Sequence, residues 1–360
     1  LQRLMIALAV GTGVGINTVM AAKLGVGNEK EADEYAGVGT PLAGFMWLLF
    51  AVICWFAMPF YAKMSTNSEV IIHDVIVYGR IVCVFSFGLF LESIWTKVLQ
   101  SCGDMKTPMT AQIIGAITNI VLDPLLIFGM FGFPKMGIAG AALATAFSQF
   151  VGGVVPLVYF AKQREGSLLV FKRFRFDGRA LARTCTNGSS ELMSNISMSL
   201  VSMLYNAQLM RYAGEDGVSA YGVLMYVSMI FMAIFIGYCV GSSPIVSYHY
   251  GAENKQERHG LLKKGLIVLS VTAVLMFAAG EFAARPLAKL FVGYDEGLLD
   301  MTAHAFSIFS FSFLLSGFSI FGSSFFTALG DGLTSALISF LRTLVFQIAA
   351  VLIFPLIWEL

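Results

Sequence analysis

Apolar runs of about 20 residues recur along the whole 360-residue chain, and each is long enough to cross a bilayer as an α-helix. Membrane-spanning β-strands are about half as long and alternate in polarity, so the runs predict helices. Only 12% of the residues are charged, against about 25% in soluble domains, which predicts an all-α integral membrane protein. We predict ten spans, at residues 1–22, 38–62, 74–100, 109–132, 138–161, 187–212, 217–248, 261–283, 299–328 and 333–358.

The connection at residues 163–186 is the longest between predicted spans, and it is strongly basic. Its stretch from Leu168 to Arg183 mixes Phe with Arg, which is typical of an amphipathic helix on a membrane surface. Because loops rich in Lys and Arg stay in the cytoplasm, we expect this linker on the cytoplasmic face of a cell membrane. The predicted domains are an N-terminal lobe at 1–162, the linker at 163–186 and a C-terminal lobe at 187–360.

Two segments of the first half of the chain recur in the second half. At an offset of 226 positions, the sequence repeats Gly11, Gly15, Gly25, Asn28 and Glu31 as Gly237, Gly241, Gly251, Asn254 and Glu257. At an offset of 227 positions, it repeats Gly103, Asp104 and Thr107 as Gly330, Asp331 and Thr334. Agreement between two separate segments predicts two homologous halves. Corresponding helices lie six spans apart and therefore cross the membrane in the same direction, which is a known transporter plan.

The repeat also predicts helices outside the printed sequence. The chain opens at Leu1 and stops in an apolar run at Leu360. By the same offset, one span of each half has its partner before Leu1 or after Leu360. We therefore expect a ten-helix piece of a twelve-helix protein, lacking the first helix, part of the second and the last.

Asn119 and Asp123 lie four residues apart near the middle of the fourth span, so both side chains share one helix face. A carboxylate at bilayer depth costs about 2.5–3.5 kcal/mol and usually faces a bundle interior or a wet cavity. The proline after Asp123 also removes one helical N–H. The pair is either a buried polar contact that holds neighbouring helices together or an ion site, and we favour the ion site. The second half lacks a copy, since the 227-residue offset leads to Phe346 and Ala350.

Thr145 lies in the next span, at the end of a stretch of small residues that permits close helix approach. Its hydroxyl would complete a set of oxygen ligands with Asn119 and Asp123 that suits a hard monovalent cation, while Asp123 alone would take up a proton. The alternative for Thr145 is a hydrogen bond to the carbonyl of Ala141 on its own helix.

A polar stripe runs along the span at 187–212, where the spacing of four, four, three and four residues gives one helix face. Such a face in a helix bundle lines water or a ligand, so we predict a substrate cavity there, formed by Glu191, Asn195, Ser199 and Asn206. The stripe consists of these four residues and Ser202. Glu191 is alternatively a solvated charge near the cytoplasmic end of the helix.

Several function classes are disfavoured by what the sequence lacks. None of its four histidines has His-x-x-x-His or Glu-x-x-His company, and no glycine-rich phosphate loop is present. We therefore expect neither an enzyme nor a bound organic cofactor, no nucleic-acid partner, and no metal other than Na⁺ at Asp123. Charged residues remain in other spans. Glu92 in particular lies deep enough to need a partner.

The stretch from Gly11 to Asn28, its echo from Gly237 to Asn254, and the turn from Gly103 to Pro108 resemble the multidrug and toxic compound extrusion (MATE) family. The phrase from Asn187 to Gly222 is similar to the bacterial multidrug branch of that family. The resemblance implies two six-helix lobes and a secondary antiporter. Such a protein would export amphipathic, often cationic drugs or metabolites by alternating access, driven by inward Na⁺ or H⁺.

The resemblance also implies which residues bind the coupling ion. Family members with a first-lobe cation site place an Asn and an Asp one turn apart on the fifth helix and a Thr on the sixth, which Asn119, Asp123 and Thr145 match. It implies small-molecule and lipid contacts and a monomer. The alternative from the same broad architecture is a flippase for lipid-linked precursors, which would need several Arg or Lys side chains in its cavity.

Overall fold

The computed structural model describes residues 2–65, 68–162 and 178–357, and almost all of these residues are helical. A short 3₁₀ turn and a π-helical turn at Leu341–Val345 complete the described structure. The α-helices are α1 (Gln2–Gly25), α2 (Glu29–Ser65), α3 (Glu69–Phe85), α4 (Phe87–Ser101), α5 (Lys106–Phe128), α6 (Gly137–Lys162), α7 (Gly178–Gly251), α8 (Lys255–Val292), α9 (Glu296–Ser310), α10 (Phe313–Ala328), α11 (Gly332–Phe340) and α12 (Phe346–Ile357).

The apolar helices confirm the predicted all-α integral membrane fold. Within the described ranges, seven helices are long and apolar enough to cross a membrane, and two bent helix pairs raise the number to nine. One of the seven, α7, contains 74 residues and would measure about 110 Å if straight. Its backbone is non-helical at Gly214, with φ 65° and ψ −156°, between the predicted spans at 187–212 and 217–248. Division of α7 there would raise the number of candidate spans to ten, and the predicted count stays a prediction.

The chain forms two compact units, Leu1–Leu192 and Met193–Leu360, which we call the first and second unit. In the first unit, α4 packs against α1, α2, α5 and α6, and α5 packs chiefly against α6. In the second unit, α8 packs against α9 and α10, and α10 packs against α11. Most of the predicted linker lies outside the described residues, and residues 178–186 belong to α7. The predicted domain boundaries remain a prediction.

The repeated asparagines cap equivalent helices in the two units. Oδ1 of Asn28 accepts a hydrogen bond from the N–H of Glu31 at 3.2 Å, at the start of α2. Oδ1 of Asn254 accepts one from the N–H of Glu257 at 3.0 Å, at the start of α8. A side chain in this position satisfies a backbone donor that the first turn leaves unpaired.

The repeated aspartates make an even closer match. Oδ1 of Asp104 accepts from the N–H of Thr107 at 3.1 Å, and its Oδ2 accepts from the Thr107 hydroxyl at 2.6 Å. Asp331 and Thr334 form the same two bonds at the same two distances. The two halves of the sequence therefore share local structure as well as residues.

Each unit also breaks one span at an equivalent position. The axes of α3 and α4 bend by 42° at Ser86, and those of α9 and α10 bend by 52° next to Ser312. These serines lie 226 positions apart, which is the offset of the sequence repeat. The sequence predicted unbroken spans at 74–100 and 299–328, so the bends are a correction to that expectation.

Candidate functional site

Asn119 and Asp123 lie side by side on α5, as their spacing predicted. Nδ2 of Asn119 lies 3.4 Å from Oδ1 of Asp123, and both side chains are half-buried. That distance exceeds the usual 2.7–3.2 Å, so the contact is weak. The carboxylate and the amide oxygen therefore keep lone pairs that a cation can use.

Thr145 lies at the same depth as Asn119. A Cβ on Gly115 of α5 would lie 3.3 Å from the carbonyl oxygen of Ser148 on α6. The two helices are antiparallel neighbours, so one turn further along α5 and one turn back along α6 lead to Asn119 and Thr145. The structure thus places the three predicted cation ligands on facing helices of the first unit.

The Thr145 hydroxyl itself makes the local bond that the sequence left as an alternative. It donates to the carbonyl oxygen of Ala141 at 2.9 Å. Among the described residues, no hydrogen bond joins it to Asn119 or Asp123. The hydroxyl oxygen still has lone pairs after this donation, and the role of Thr145 as a cation ligand remains a prediction.

The residues of the polar stripe of α7 are divided between the two units along the chain. Glu191 belongs to the first unit, while Asn195, Ser199 and Asn206 belong to the second. The first three are half-buried and Asn206 is exposed. The Ser199 hydroxyl donates to the carbonyl of Asn195 at 3.0 Å, which is a bond within the helix. The cavity role of this stripe remains a prediction.

Glu191 has an opposite charge close to it. Its carboxylate attracts the Lys97 ammonium of α4, and Nζ of Lys97 also donates to Oε1 of Gln100 at 2.9 Å. The α1 helix packs tightly beside them, since a Cβ on Gly11 would lie 2.8 Å from the carbonyl oxygen of Gly188 and 3.7 Å from Cβ of Glu191. Glu191 therefore lies in a packed junction of the first unit.

The structure supplies the partner that Glu92 needs. Nε2 of Gln112 on α5 donates to Oε1 of Glu92 at 2.7 Å, and Glu92 is only 6% exposed. A Cβ on Gly152 of α6 would lie 3.2 Å from the carboxyl carbon. Sequence reasoning missed this arrangement. The available signals were a glutamine two turns before Asn119 and a pair of adjacent glycines on the next helix.

The second unit has different groups at the matching positions. Gln112 corresponds to Ser339 at the 227-residue offset, whereas Glu92 lies between the two offsets and corresponds to Phe318 or Ser319. Arg342 lies in the π-helical turn, and its Nη1 lies 3.5 Å from Oγ of Ser319. A positive side chain therefore lies in the second unit close to the position that corresponds to Glu92.

Comparison with known proteins gives one family. The family model described as MatE matches residues 1–125 and 192–353, which include Asn119 and Asp123. The FAD transporter of Shewanella oneidensis is 27% identical over 296 residues, which cover 79% of this chain and 63% of the relative. The probable multidrug resistance protein NorM of Thermotoga maritima is 25% identical, with 81% and 62% covered. The chain spans less than two thirds of the length of these curated relatives.

Solved structures share the fold. An outward-facing multidrug resistance MATE family transporter of the MOP superfamily aligns with a TM-score of 0.91 at 22% identity, covering 98% of this chain and 78% of that one. A MATE protein in the bent conformation aligns with a TM-score of 0.89, also at 22% identity, covering 98% and 77%.

Proposed function

The chain belongs to the MatE family, and from that membership we propose that it is a secondary antiporter that exports amphipathic compounds in exchange for a cation. Relatives of this chain include a probable multidrug resistance protein of Bacillus subtilis and the multidrug export protein MepA of Staphylococcus aureus. The observation that carries the proposal is the half-buried Asn119–Asp123 pair on a membrane-length helix of the first unit.

In this proposal, Asp123 takes the coupling ion. Its carboxylate would supply the negative charge that a cation or proton needs at bilayer depth. The amide oxygen of Asn119 and the hydroxyl of Thr145 would supply neutral oxygens on the facing side. An inward-moving elementary charge contributes about 2.3 kcal/mol per 100 mV of membrane potential, which is the energy that export draws on.

Ion binding and drug binding then oppose each other through alternating access. A cation at Asp123 would favour the state that releases the compound, and the compound would lower the cation affinity by the same factor. The stripe of Asn195, Ser199 and Asn206 is our proposal for part of the cavity wall. The substrate is a small molecule, and the protein works as a membrane-embedded monomer with no enzymatic step.

A second candidate is export of an anionic metabolite. One relative is named an FAD transporter, and Arg342 in the second unit lies in a π-helical turn, a feature frequent at functional sites. The flippase alternative has less support, because a pyrophosphate site needs several free cations. Arg80 stacks over Trp55 at 4.4 Å, and Lys97 is bound to Gln100, so both already have protein partners.

Efflux from vesicles tests the proposal. The protein is reconstituted in lipid vesicles, and the movement of ethidium is followed while a Na⁺ gradient or a proton gradient is imposed separately. We expect ethidium transport under at least one gradient and none in vesicles without a gradient. FAD movement in the same vesicles without ethidium movement would favour the second candidate. No gradient-driven movement of either compound would contradict both.

A further inference from the structure

Glu92 lies in the middle of α4, at the junction with α5 and α6, and the proposed transport cycle does not use it. Its carboxyl group is buried between Gln112 and the backbone of α6. A charged carboxylate at bilayer depth is costly unless a cation or several donors compensate it. The groups around Glu92 therefore decide which protonation state the site holds.

The described structure gives the Glu92 carboxyl group one hydrogen-bond donor. Gln112 donates to Oε1 at 2.7 Å, and no salt bridge to Glu92 exists among the described residues. Among the described residues, compensation for a negative charge is therefore limited to one neutral amide, and the neutral carboxyl is the favoured form.

The charged residues on the helices packed against α4 lie too far along those helices to compensate Glu92. Lys97 on α4 itself is turned to Gln100 and Glu191. On α5, Asp123 is eleven residues from Gln112, which is about 16 Å along the helix. The charged side chains on the four neighbouring helices nearest to the level of Glu92 are Lys23 of α1, Asp33 and Glu34 of α2, Lys106 and Asp123 of α5, and Lys162 of α6.

Gln112 suits both protonation states of its partner. Its amide N–H₂ donates to a carboxylate, and its amide oxygen accepts from the O–H of a neutral carboxyl group. The hydrogen bond therefore survives when a proton arrives or leaves. Gln112 is itself exposed on α5, so its amide links the buried carboxyl group to the outer surface of that helix.

Glu92 lies close to the contact between α4 and α6 and to the bend that precedes α4. A Cβ on Gly88 would lie 2.6 Å from Cα of Phe150, and one on Gly153 would lie 3.2 Å from the carbonyl oxygen of Gly88. The backbones of α4 and α6 are therefore in direct contact. The 42° break at Ser86 lies less than two turns before Glu92. A change of this bend would change the burial of the carboxyl group.

We propose that Glu92 is a second ion-carrying group of the first unit, which binds a proton separately from the cation site at Asp123. Gln112, Asn119 and Asp123 are seven and four residues apart and follow one face of α5. Both carboxyl groups therefore border the same helix face. The role of the proton in transport rests on the proposed function, whereas its binding to Glu92 does not.

Infrared spectroscopy of the reconstituted protein tests the binding directly. With ¹³C-labelled glutamate, a protonated carboxyl gives a labelled C=O band that disappears when the group ionises. We expect such a band at neutral pH, its loss on alkalinisation, and its absence in Glu92→Gln. Ser93→Ala is the matched control, because Ser93 follows Glu92 in the chain and its hydroxyl donates to the Ala9 carbonyl. This variant should keep the band. Asp123→Asn should also keep it.

The variants also protect the test against a folding failure. If Glu92→Gln does not insert, Glu92→Asp in the same label should move the band to the unlabelled position of an aspartic acid. A labelled band that persists unchanged in both variants would overturn the proposal. A wild-type protein with no pH-dependent glutamic acid band would overturn it as well.

Ethidium efflux in the same vesicles separates this proposal from the proposed function. Glu92→Gln should weaken the coupling between proton binding and ethidium binding, which is usually about 5- to 150-fold, and proton-driven efflux should fall with it. A band at Glu92 in a protein that moves no ethidium would overturn the transport function and leave the proton site standing. Efflux of normal rate and normal pH dependence in Glu92→Gln would overturn the coupling role of the site.

Discussion

The two units have the same turns and caps but different groups inside their helices. Asp104 and Asp331 cap their helices with the same distances to the following threonines, and Ser86 and Ser312 mark the same break. At the buried positions between these features the chemistry differs. Glu92 in the first unit has a neutral counterpart in the second, Phe318 or Ser319.

In the second unit, hydroxyl groups of α10 and α11 bond to one another at the contact between these helices. The Oγ atoms of Ser323 and Ser339 lie 2.8 Å apart, and the Thr327 hydroxyl donates to Oγ of Ser335 at 2.7 Å. All four side chains are buried. Hydroxyl groups satisfy one another in this way without carrying charge. Helix ends thus keep their chemistry after a duplication because the fold needs it, while interior polar groups change with the task of each half.

The largest expected effect comes from Asp123. Asp123→Asn keeps the shape of the side chain but removes its charge, so insertion should be normal. Gradient-driven ethidium efflux should be lost, because the charge that couples the ion to export is gone. The matched change in the second unit is Ala350→Gly, which should leave the rate close to that of the wild type. Wild-type efflux by Asp123→Asn would reduce Asp123 to a structural role.

Alanine substitutions at two equivalent glycines, one in each unit, should differ in their cost to stability because the glycines are packed differently. A Cβ on Gly15 would lie 2.1 Å from the carbonyl oxygen of Thr184, whereas one on the equivalent Gly241 meets no described atom within 4 Å. Gly15→Ala must move backbone and should cost about 1–3 kcal/mol. Gly241→Ala should change stability much less. Thermal unfolding in detergent measures both, and equal losses in Tm would contradict the difference in packing.

Smaller changes in Na⁺ affinity should follow substitution of the two uncharged residues proposed to bind the cation. Asn119→Ala removes an amide oxygen but leaves the charge of Asp123, so Na⁺ affinity should weaken less than in Asp123→Asn. Thr145→Val keeps the volume and removes the hydroxyl. If Thr145 is a ligand, Na⁺ binding measured by calorimetry should weaken. An unchanged affinity would show that the hydroxyl serves only its bond to Ala141.

The smallest effect is expected at the two aspartate caps. Hydrogen bonds from Thr334 lower the pKa of Asp331. At Asp104 burial raises the pKa, but the hydrogen bonds from Thr107 and Lys106 outweigh it, so that this pKa is also lowered. A lowered pKa means that the cap stabilises the protein above the ordinary pKa and loses this effect as the pH falls through the lowered value.

Asp104→Ala and Asp331→Ala should therefore each lower Tm slightly at neutral pH and by similar amounts. The difference from the wild type should shrink below a pH of about 4. Thermal unfolding over a pH series measures this trend. A difference that grew on acidification would contradict the assigned direction of the pKa shifts.

The sequence was sufficient for the helices, the repeat and the pairing of Asn119 with Asp123, because each depends on spacing within one helix. The contact between Glu92 and Gln112 could not be predicted in that way, since it joins two helices whose rotation only packing determines. The bend at Ser86 was also missed. No proline marks it, and the Ser-Phe-Gly sequence there is a weak breaker of helices.

The shared bend at Ser86 and Ser312 has a consequence for the origin of the molecule. A serine and a break at the same place in both halves indicate a common origin, so the bend is older than the duplication. The ancestor was then a half-length chain that already contained this flexed helix. The proposed ion ligands Asn119 and Asp123 have Phe346 and Ala350 as counterparts, so this pair came to differ between the two copies after the duplication.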